Sequence, residues 1–378
     1  MRGWLLVSVG ALHMILRGRK SVPRGRKRHL TATFTRIPLT DSLQREAAGK
    51  RESRSFKGIR VRVASKGPLK CALKCVCCVV QVFFFVSVAA ALVAGCGGRT
   101  DPVPFEHEAV WRMAPSETGI PAPRSLCVAK NGELYVLDTI GRVLVYGPRG
   151  ALARQWSMPE TSVGRPEGVV ELRDGSILVA DTHYHRLVRF SSSGEVLSMW
   201  GGKGEGPGEF IYPVAVTQDP AGLIYVAEYG GNDRIQVFSE TGELLRSFGS
   251  FGTGEGQLQR CSGLAYTGGR LYVADAINNR VQVYTPQGEL VASYTRPGDV
   301  PFRFPYDIAV TPAGTLAVIE YTAGRISVIN PDGSLVGRYG RTGRGEGAFA
   351  TPWGIAAGAD GRIFVADTGN HRIVVVRP

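Results

Sequence analysis

The chain is poor in the residues on which several large protein classes depend. It has seven cysteines among 378 residues, and only Cys127 and Cys261 follow residue 96. So few cysteines exclude a disulfide framework, and the cluster Cys75–Cys78 has no partner at zinc spacing. Residues 105–378 contain no stretch of Lys, Leu, Ala and Glu at helical spacing and no Gly-Lys-Ser or Gly-Lys-Thr. A helical fold and a phosphate loop are thereby excluded for this part of the chain.

Positive charge is also missing from the second part of the chain. The net charge of +13 comes from the first 100 residues, which hold 20 Lys and Arg against 3 acidic residues. The remaining 278 residues hold 25 basic residues against 29 acidic ones. A nucleic-acid-binding domain should carry positive potential on its folded part, so we expect no nucleic acid partner.

One pattern recurs six times in residues 105–378. Each copy has short runs of Val, Ile, Tyr and Phe, separated by turns such as Asp174-Gly175 and Asp360-Gly361. Four such runs at a period of 43 to 47 residues predict an all-β fold, a six-bladed β-propeller with four antiparallel strands per blade. The sixth copy contains three runs, and Ala109–Met113 resembles a fourth. We therefore expect an N-terminal strand to close the ring.

The repeated text resembles the NHL repeat. It reads Val-Ala-Asp-Thr-His-Tyr-His-Arg over residues 179–186 and Val-Ala-Asp-Thr-Gly-Asn-His-Arg over residues 365–372. The resemblance covers residues 105–378 and implies a six-bladed NHL-like propeller. Some copies depart from it, because Glu228 and Glu320 replace the aspartate and Cys261 stands where the other copies have proline.

An arginine follows each repeated acidic residue by four to six positions. The two should face each other across a hairpin loop, where a guanidinium can hold a carboxylate with two parallel hydrogen bonds. Because a catalytic group need not occur six times, we interpret the pairs as structural. The pairs are Asp138 and Arg142, Asp181 and Arg186, Glu228 and Arg234, Asp275 and Arg280, Glu320 and Arg325, and Asp367 and Arg372.

Three segments precede the repeats. Residues 1–60 are basic, and we interpret them as a start-site artefact or as disordered, because an export signal should begin close to its apolar core. Residues 61–95 have the order of a secretory signal, with basic residues, then an apolar stretch, then small residues. Its end, Val-Ala-Gly-Cys96, resembles a bacterial lipobox, which implies lipidation of Cys96, a tether over 96–104 and attachment to a membrane of the bacterial cell envelope. The alternative is a single transmembrane anchor, because 21 uncharged residues can span a bilayer.

The residue after the proline that opens an inner strand differs from blade to blade, unlike the structural positions. These residues should ring one end of the central channel, which we call the channel mouth. Four neighbouring blades place different chemistry there, and we expect one solvent-facing patch that takes an apolar or ring-shaped group and an anion. The four are Tyr306, Trp353, Arg124 and Glu167. Around them we expect Asp307 and the rim residues His183, Tyr184, Tyr229 and Tyr321.

The channel mouth predicts a non-catalytic binding scaffold without a cofactor, for a peptide, a glycan fragment or a partner protein. The alternative is a metal-dependent lyase or hydrolase of the six-bladed propeller kind. The amidating lyase of peptide-hormone maturation resembles this fold and binds zinc through histidines that follow the opening proline. No histidine stands at those positions here. His183 and His185 offer only two ligands, and Glu167 and Asp307 belong to opposite blades, so we predict no metal site and no catalytic residue.

Overall fold

A computed structural model describes residues 105–378 and, before them, the strands β1 (Trp4–Val9) and β2 (Leu12–Arg17), which pair antiparallel. The proposed signal segment 61–95, the tether and Cys96 lie outside the described residues. Within the part of the chain that is described, no helix has the length and apolar character needed to cross a membrane.

Six four-stranded antiparallel sheets form the blades of a propeller, as the repeat period predicts. The all-β class and the six-bladed architecture are confirmed. Blade 1 is β4 (Pro123–Val128), β5 (Leu134–Asp138), β6 (Arg142–Tyr146) and β7 (Leu152–Ser157). Blade 2 is β8 (Gly168–Glu171), β9 (Ile177–Asp181), β10 (Arg186–Phe190) and β11 (Val196–Gly201). Blade 3 is β12 (Tyr212–Gln218), β13 (Ile224–Tyr229), β14 (Arg234–Phe238) and β15 (Leu244–Phe248).

The second half of the ring repeats this plan. Blade 4 is β18 (Cys261–Thr267), β19 (Arg270–Asp275), β20 (Arg280–Tyr284) and β21 (Leu290–Tyr294). Blade 5 is β22 (Pro305–Val310), β23 (Leu316–Glu320), β24 (Arg325–Ile329) and β25 (Leu335–Tyr339). Blade 6 contains β28 (Gly354–Ala357), β29 (Ile363–Asp367) and β30 (Arg372–Arg377). Two short parallel pairs lie in crossovers between blades, β16 (Ser250–Phe251) with β17 (Gln257–Leu258) and β26 (Arg341–Thr342) with β27 (Ala348–Phe349).

The ring is closed by β3 (Glu106–Arg112), which is the outer strand of blade 6, as predicted. It pairs antiparallel with β30, from Glu106 opposite Arg377 to Arg112 opposite Arg372. Its Trp111 is 9% exposed and packs against Phe364 and Tyr146, with ring centroids 5.3 Å and 6.2 Å apart. Closure thus covers one edge of blade 6 and joins its core to that of blade 1.

Inner strands approach one another closely around the channel, and glycine permits this in alternate blades. A Cβ at Gly168 would lie 2.4 Å from the carbonyl oxygen of Val214 in blade 3, and one at Gly354 would lie 2.7 Å from that of Arg124 in blade 1. Real side chains do not tolerate such contacts with backbone. The glycines therefore set the spacing of the inner strands that carry the channel mouth.

One apolar side chain of each crossover fills the gap between two blades, and we call it the plug residue. In the crossovers into blades 3 to 6 it stands three residues before the opening proline, or before Cys261 in blade 4. These four plug residues, each at most 1% exposed, are Phe210, Leu258, Phe302 and Phe349. Met113 and Met158 fill the gaps before blades 1 and 2 from the other end of the crossover. The residues at the usual plug position there, Ile120 and Val163, are 53% and 69% exposed.

All six acid–arginine pairs form ion pairs through the arginine Nε, at 2.5–2.9 Å. The expected two-pronged bond occurs only where Arg325 holds Glu320. In blade 6, Asp367 instead uses its second oxygen to accept the N–H of Ala350 at 2.7 Å, and Arg372 Nη2 donates to the carbonyl of Ala348 at 3.0 Å. The second carboxylate oxygen and the arginine Nη2 thus bind the crossover instead of each other, which the sequence pattern alone does not show.

Candidate functional site

The channel mouth brings together the four variable residues that follow the opening prolines. Arg124 Nη2 donates to Glu167 Oε1 at 2.8 Å, and the Arg124 guanidinium lies 4.3 Å from the ring centroid of Trp353. The rings of Trp353 and Tyr306 have centroids 5.3 Å apart. Four blades therefore contribute to one continuous cluster, with an ion pair on one side and two aromatic rings on the other.

The expectation that this cluster faces solvent is wrong. Arg124 and Tyr306 are 9% and 5% exposed, and the Glu167 side chain is 4% exposed. Trp353 is partly exposed, so part of its side chain is accessible to solvent. A residue absent from the sequence prediction, Arg260, also lies within the cluster.

Arg260 comes from the crossover into blade 4 and completes the mouth. Its Nη2 donates to the Tyr306 hydroxyl at 2.7 Å and lies 3.5 Å from Glu167 Oε2, and its guanidinium lies 4.4 Å from the Tyr229 ring centroid. Its backbone has a φ of +57°, and its N–H donates to the buried carboxylate of Asp233. Burial lowers the pKa of Arg260, but Tyr306 and Glu167 outweigh this effect and raise it, so the side chain stays charged.

Two guanidinium groups at the mouth share one carboxylate, so the cluster carries excess positive charge. Burial raises the pKa of Tyr306, which remains a neutral phenol at physiological pH. The excess charge is partly desolvated, and a buried charge needs a partner. The mouth is therefore suited to an anionic group.

A cavity of about 220 Å³ extends from the mouth into the channel. Within residues 105–378, two buried polar atoms of residues lining it lack a hydrogen-bond partner, Nε of Arg124 and Oγ of Ser262. Deeper in the channel wall, Asp307 accepts N–H bonds from Ile308 at 2.8 Å and Ile355 at 3.1 Å. Burial raises the pKa of Asp307 to about 7, although these two amides lower it. Two residues that line the cavity near its mouth thus have a buried polar atom without a partner, and a titratable carboxyl lies in the channel wall.

The rim consists of aromatic rings in succession. The rings of His183 and Tyr212 have centroids 5.8 Å apart, and Tyr212 stacks on Tyr229 at 5.2 Å. On the far side of Arg260, Tyr321 lies 5.8 Å from Tyr306. Of the predicted rim residues, His183, Tyr229 and Tyr321 therefore belong to the band of rings around the mouth.

Tyr184 has a different environment from the other rim residues. Its hydroxyl accepts the N–H of Val163 at 2.9 Å and lies 3.1 Å from Ser162 Oγ, both in the crossover into blade 2. The Arg186 guanidinium lies 5.0 Å from its ring centroid. Tyr184 therefore holds this crossover rather than the aromatic band.

The histidines of the rim contact backbone. His183 Nδ1 lies 3.1 Å from the carbonyl oxygen of Arg165, and His185 Nδ1 contacts that of Ile211. His185 and His371 both have left-handed backbone conformations at the ends of short 3-10 turns. Over the described residues, no three His, Cys, Asp or Glu side chains are grouped so that they could hold a metal ion.

The sequence contains a pattern that could have identified Arg260. The residue one position before the opening proline also varies from blade to blade: Ala122, Arg165, Tyr212, Arg260, Phe304 and Thr351. Tyr212, Arg260 and Phe304 all lie in or beside the aromatic cluster. The same argument from variation, applied one position earlier, would have included them.

Comparison with known proteins agrees with the repeats. The NHL repeat family model matches residues 258–284 and 349–376. The NHL repeat-containing protein 3 of Mus musculus is 26% identical over 266 residues, which is 61% of this chain and 76% of the relative. The protein brain tumor of Drosophila melanogaster is 26% identical over 175 residues, which is 42% of this chain but only 16% of that relative's length.

A solved structure with the same architecture is the virginiamycin B lyase from Staphylococcus aureus. It aligns with a TM-score of 0.52 at 15% identity, over 72% of this chain and 99% of the lyase chain. At that identity the likeness concerns the fold alone. With the family match and the six sheets around one channel, the chain carries NHL repeats within a six-bladed β-propeller.

Proposed function

We propose that this protein is a non-catalytic binding propeller of the bacterial cell envelope, anchored through a lipid on Cys96. The anchor is supported by the order of basic segment, apolar stretch and Val-Ala-Gly-Cys. The binding role is supported by the NHL repeats and by the chemistry of the channel mouth. Its ligand is a peptide, a glycan fragment or a partner protein.

The observation that carries the binding role is the unequal charge of the mouth. Arg124 and Arg260 share the single carboxylate of Glu167, while Arg124 Nε and Ser262 Oγ have no partner among the described residues. An anionic group that enters the cavity neutralises the excess charge and accepts from these atoms. The partly exposed ring of Trp353 then contacts an apolar or ring-shaped part of the same ligand.

The test uses Trp353 as a reporter. We expect short acidic peptides or uronic-acid fragments to change the tryptophan fluorescence of the purified protein in a saturable way, and their amidated or neutral counterparts to do so weakly. Arg124→Ala should cost about 1–3 kcal/mol of binding, the range for a charged hydrogen bond. The matched control is Arg344→Ala, which removes an exposed arginine on the crossover into blade 6.

One outcome would contradict the proposed binding site. Trp353→Leu removes the fluorescent reporter, so its affinity is measured by isothermal titration calorimetry. If a ligand is found and its affinity is the same in Arg124→Ala, in Trp353→Leu and in the unaltered protein, binding takes place elsewhere. Circular dichroism and the melting temperature establish that each variant is folded before its affinity is compared.

A further inference from the structure

In four blades, the acid–arginine pair binds the incoming crossover through the same two hydrogen bonds. The second oxygen of the repeated acid accepts the N–H of the residue after the plug residue, at 2.7 Å in each case. The arginine Nη2 donates to the carbonyl of the residue before the plug, at 2.7–3.2 Å. Blades 3 to 6 therefore each bind a short extended piece of main chain through one acceptor and one donor.

In blade 2 the same two atoms are unused. Asp181 Oδ1 and Arg186 Nη2 are buried and have no partner among residues 105–378. The Asp181 side chain is 1% exposed, and its other oxygen is held by Arg186 Nε at 2.9 Å. Burial raises the pKa of Asp181. An unpaired buried oxygen of a carboxylate is costly, so the vacancy requires an explanation.

The sequence of the crossover into blade 2 explains the vacancy. The residue in the donating position of this crossover, two before the opening proline, is Gly164, and Asp181 Oδ1 accepts no bond from it. Gly164 follows Val163, which is exposed where blades 3 to 6 have a buried plug residue. Tyr184 stands where blades 4 and 6 have Asn278 and Asn370, whose side chains bind crossover carbonyls at 2.9 Å. Blade 2 lacks those bonds, and Val163 in its crossover is 69% exposed.

We propose that blade 2 binds a main-chain segment of an external peptide, whose N–H donates to Asp181 Oδ1 and whose C=O accepts from Arg186 Nη2. The other blades support a peptide rather than an ion, since the same pair binds main chain in four of them. Glu160 Oε1 lies 3.0 Å from Arg186 Nη1, so Asp181, Glu160 and Arg186 together carry a net charge of −1 and repel a simple anion. This inference rests on the proposed role of the mouth face as a binding surface.

Access to the two atoms requires the crossover into blade 2 to move outward. Tyr184 fastens it through the Val163 N–H, and Pro159, Glu160, Ser162 and Val163 are exposed. Exposed segments with few buried contacts open most readily. A peptide that enters below the crossover then has the Tyr184 ring and the Val163 side chain beside it.

The test uses acetyl-Ala-Ala-Ala-amide, a neutral peptide that offers main chain and little else. We expect saturable NMR shifts at Val163 and at the amides of blade 2, and at least a tenfold weaker effect from the same peptide with N-methylated alanines. Val163→Phe should weaken binding at least tenfold, because a buried plug residue at this position precedes the N–H that binds the repeated acid in blades 3 to 6. Ile120→Phe makes the same change in blade 1, where Asp138 Oδ1 already accepts two N–H bonds, and this matched control should bind normally.

Two results overturn the inference. One is the absence of saturable shifts in blade 2, which leaves water as the partner of the two atoms. The other is unchanged binding in Val163→Phe or equal binding of the N-methylated peptide. The outcome is independent of the mouth ligand, because that ligand is detected at the Trp353 indole and the peptide is detected at blade 2. Either proposal can therefore fail alone.

Discussion

The carboxyl of Asp307 makes the stability of the propeller depend on pH. Its pKa of about 7 lies above the value of about 3.9 in an unfolded chain, so the folded protein binds more protons between those two values. Stability should therefore fall as the pH rises from 4 to 7. At about 1.4 kcal/mol per pKa unit the loss is at most ~4 kcal/mol, and water in the channel reduces it. Asp307→Ala, which copies Ala215 at the same position of blade 3, should remove this loss.

The measurement is urea unfolding of both proteins at several pH values from 4 to 8.5. The difference in unfolding free energy between Asp307→Ala and the unaltered protein should shift in favour of the variant as the pH rises. Ser125→Ala, at the same position of blade 1, changes no ionisable group and should leave the pH dependence unchanged. Parallel pH curves for Asp307→Ala and the unaltered protein would show that this carboxyl is ionised normally and that the argument from burial is wrong.

Three further predictions concern the ends of the propeller and the segments before it. Trp111→Ala should destabilise the ring by about 3–5 kcal/mol, because it removes the buried contact through which β3 closes blade 6; an unchanged melting temperature would contradict that role. Mass spectrometry of the protein from its native host should find Cys96 lipidated at the mature N-terminus, and an intact peptide spanning Leu92–Arg99 would exclude this. Expression from Val61 should give normal export and a folded propeller, and failure of either would show that residues 1–60 have a function.

The fold could be predicted because the same sequence pattern occurs in six copies. The period, the turns and the acid–arginine pairs each recur in register, so an error in one copy is corrected by the others. Even the closing strand could be recognised, because Ala109–Met113 resembles the fourth strand of other blades. The pattern could not show that the acid–arginine pairs also bind the main chain of a crossover. Any residue other than proline has a main-chain N–H, so a partner such as the Ala350 N–H cannot be recognised from the residue type.

The candidate site was predictable only in part. The shared position after the opening proline was enough to place Arg124, Glu167, Tyr306 and Trp353 together. Their burial was not predicted, and neither was the presence of Arg260, which lies on a crossover and has a left-handed backbone conformation. The path of a crossover is determined by tertiary contacts rather than by the period, so residues on crossovers are the ones that sequence reasoning misses.

The direction of β3 decides which way the channel mouth points when the chain is held by its N-terminal part. Glu106 pairs with Arg377 at the end of blade 6 away from the mouth, and Arg112 pairs with Arg372 at the mouth end. The strand β3 therefore begins at the face opposite the mouth. An attachment made at Glu106 lies on that opposite face and leaves the aromatic rim and the channel mouth uncovered.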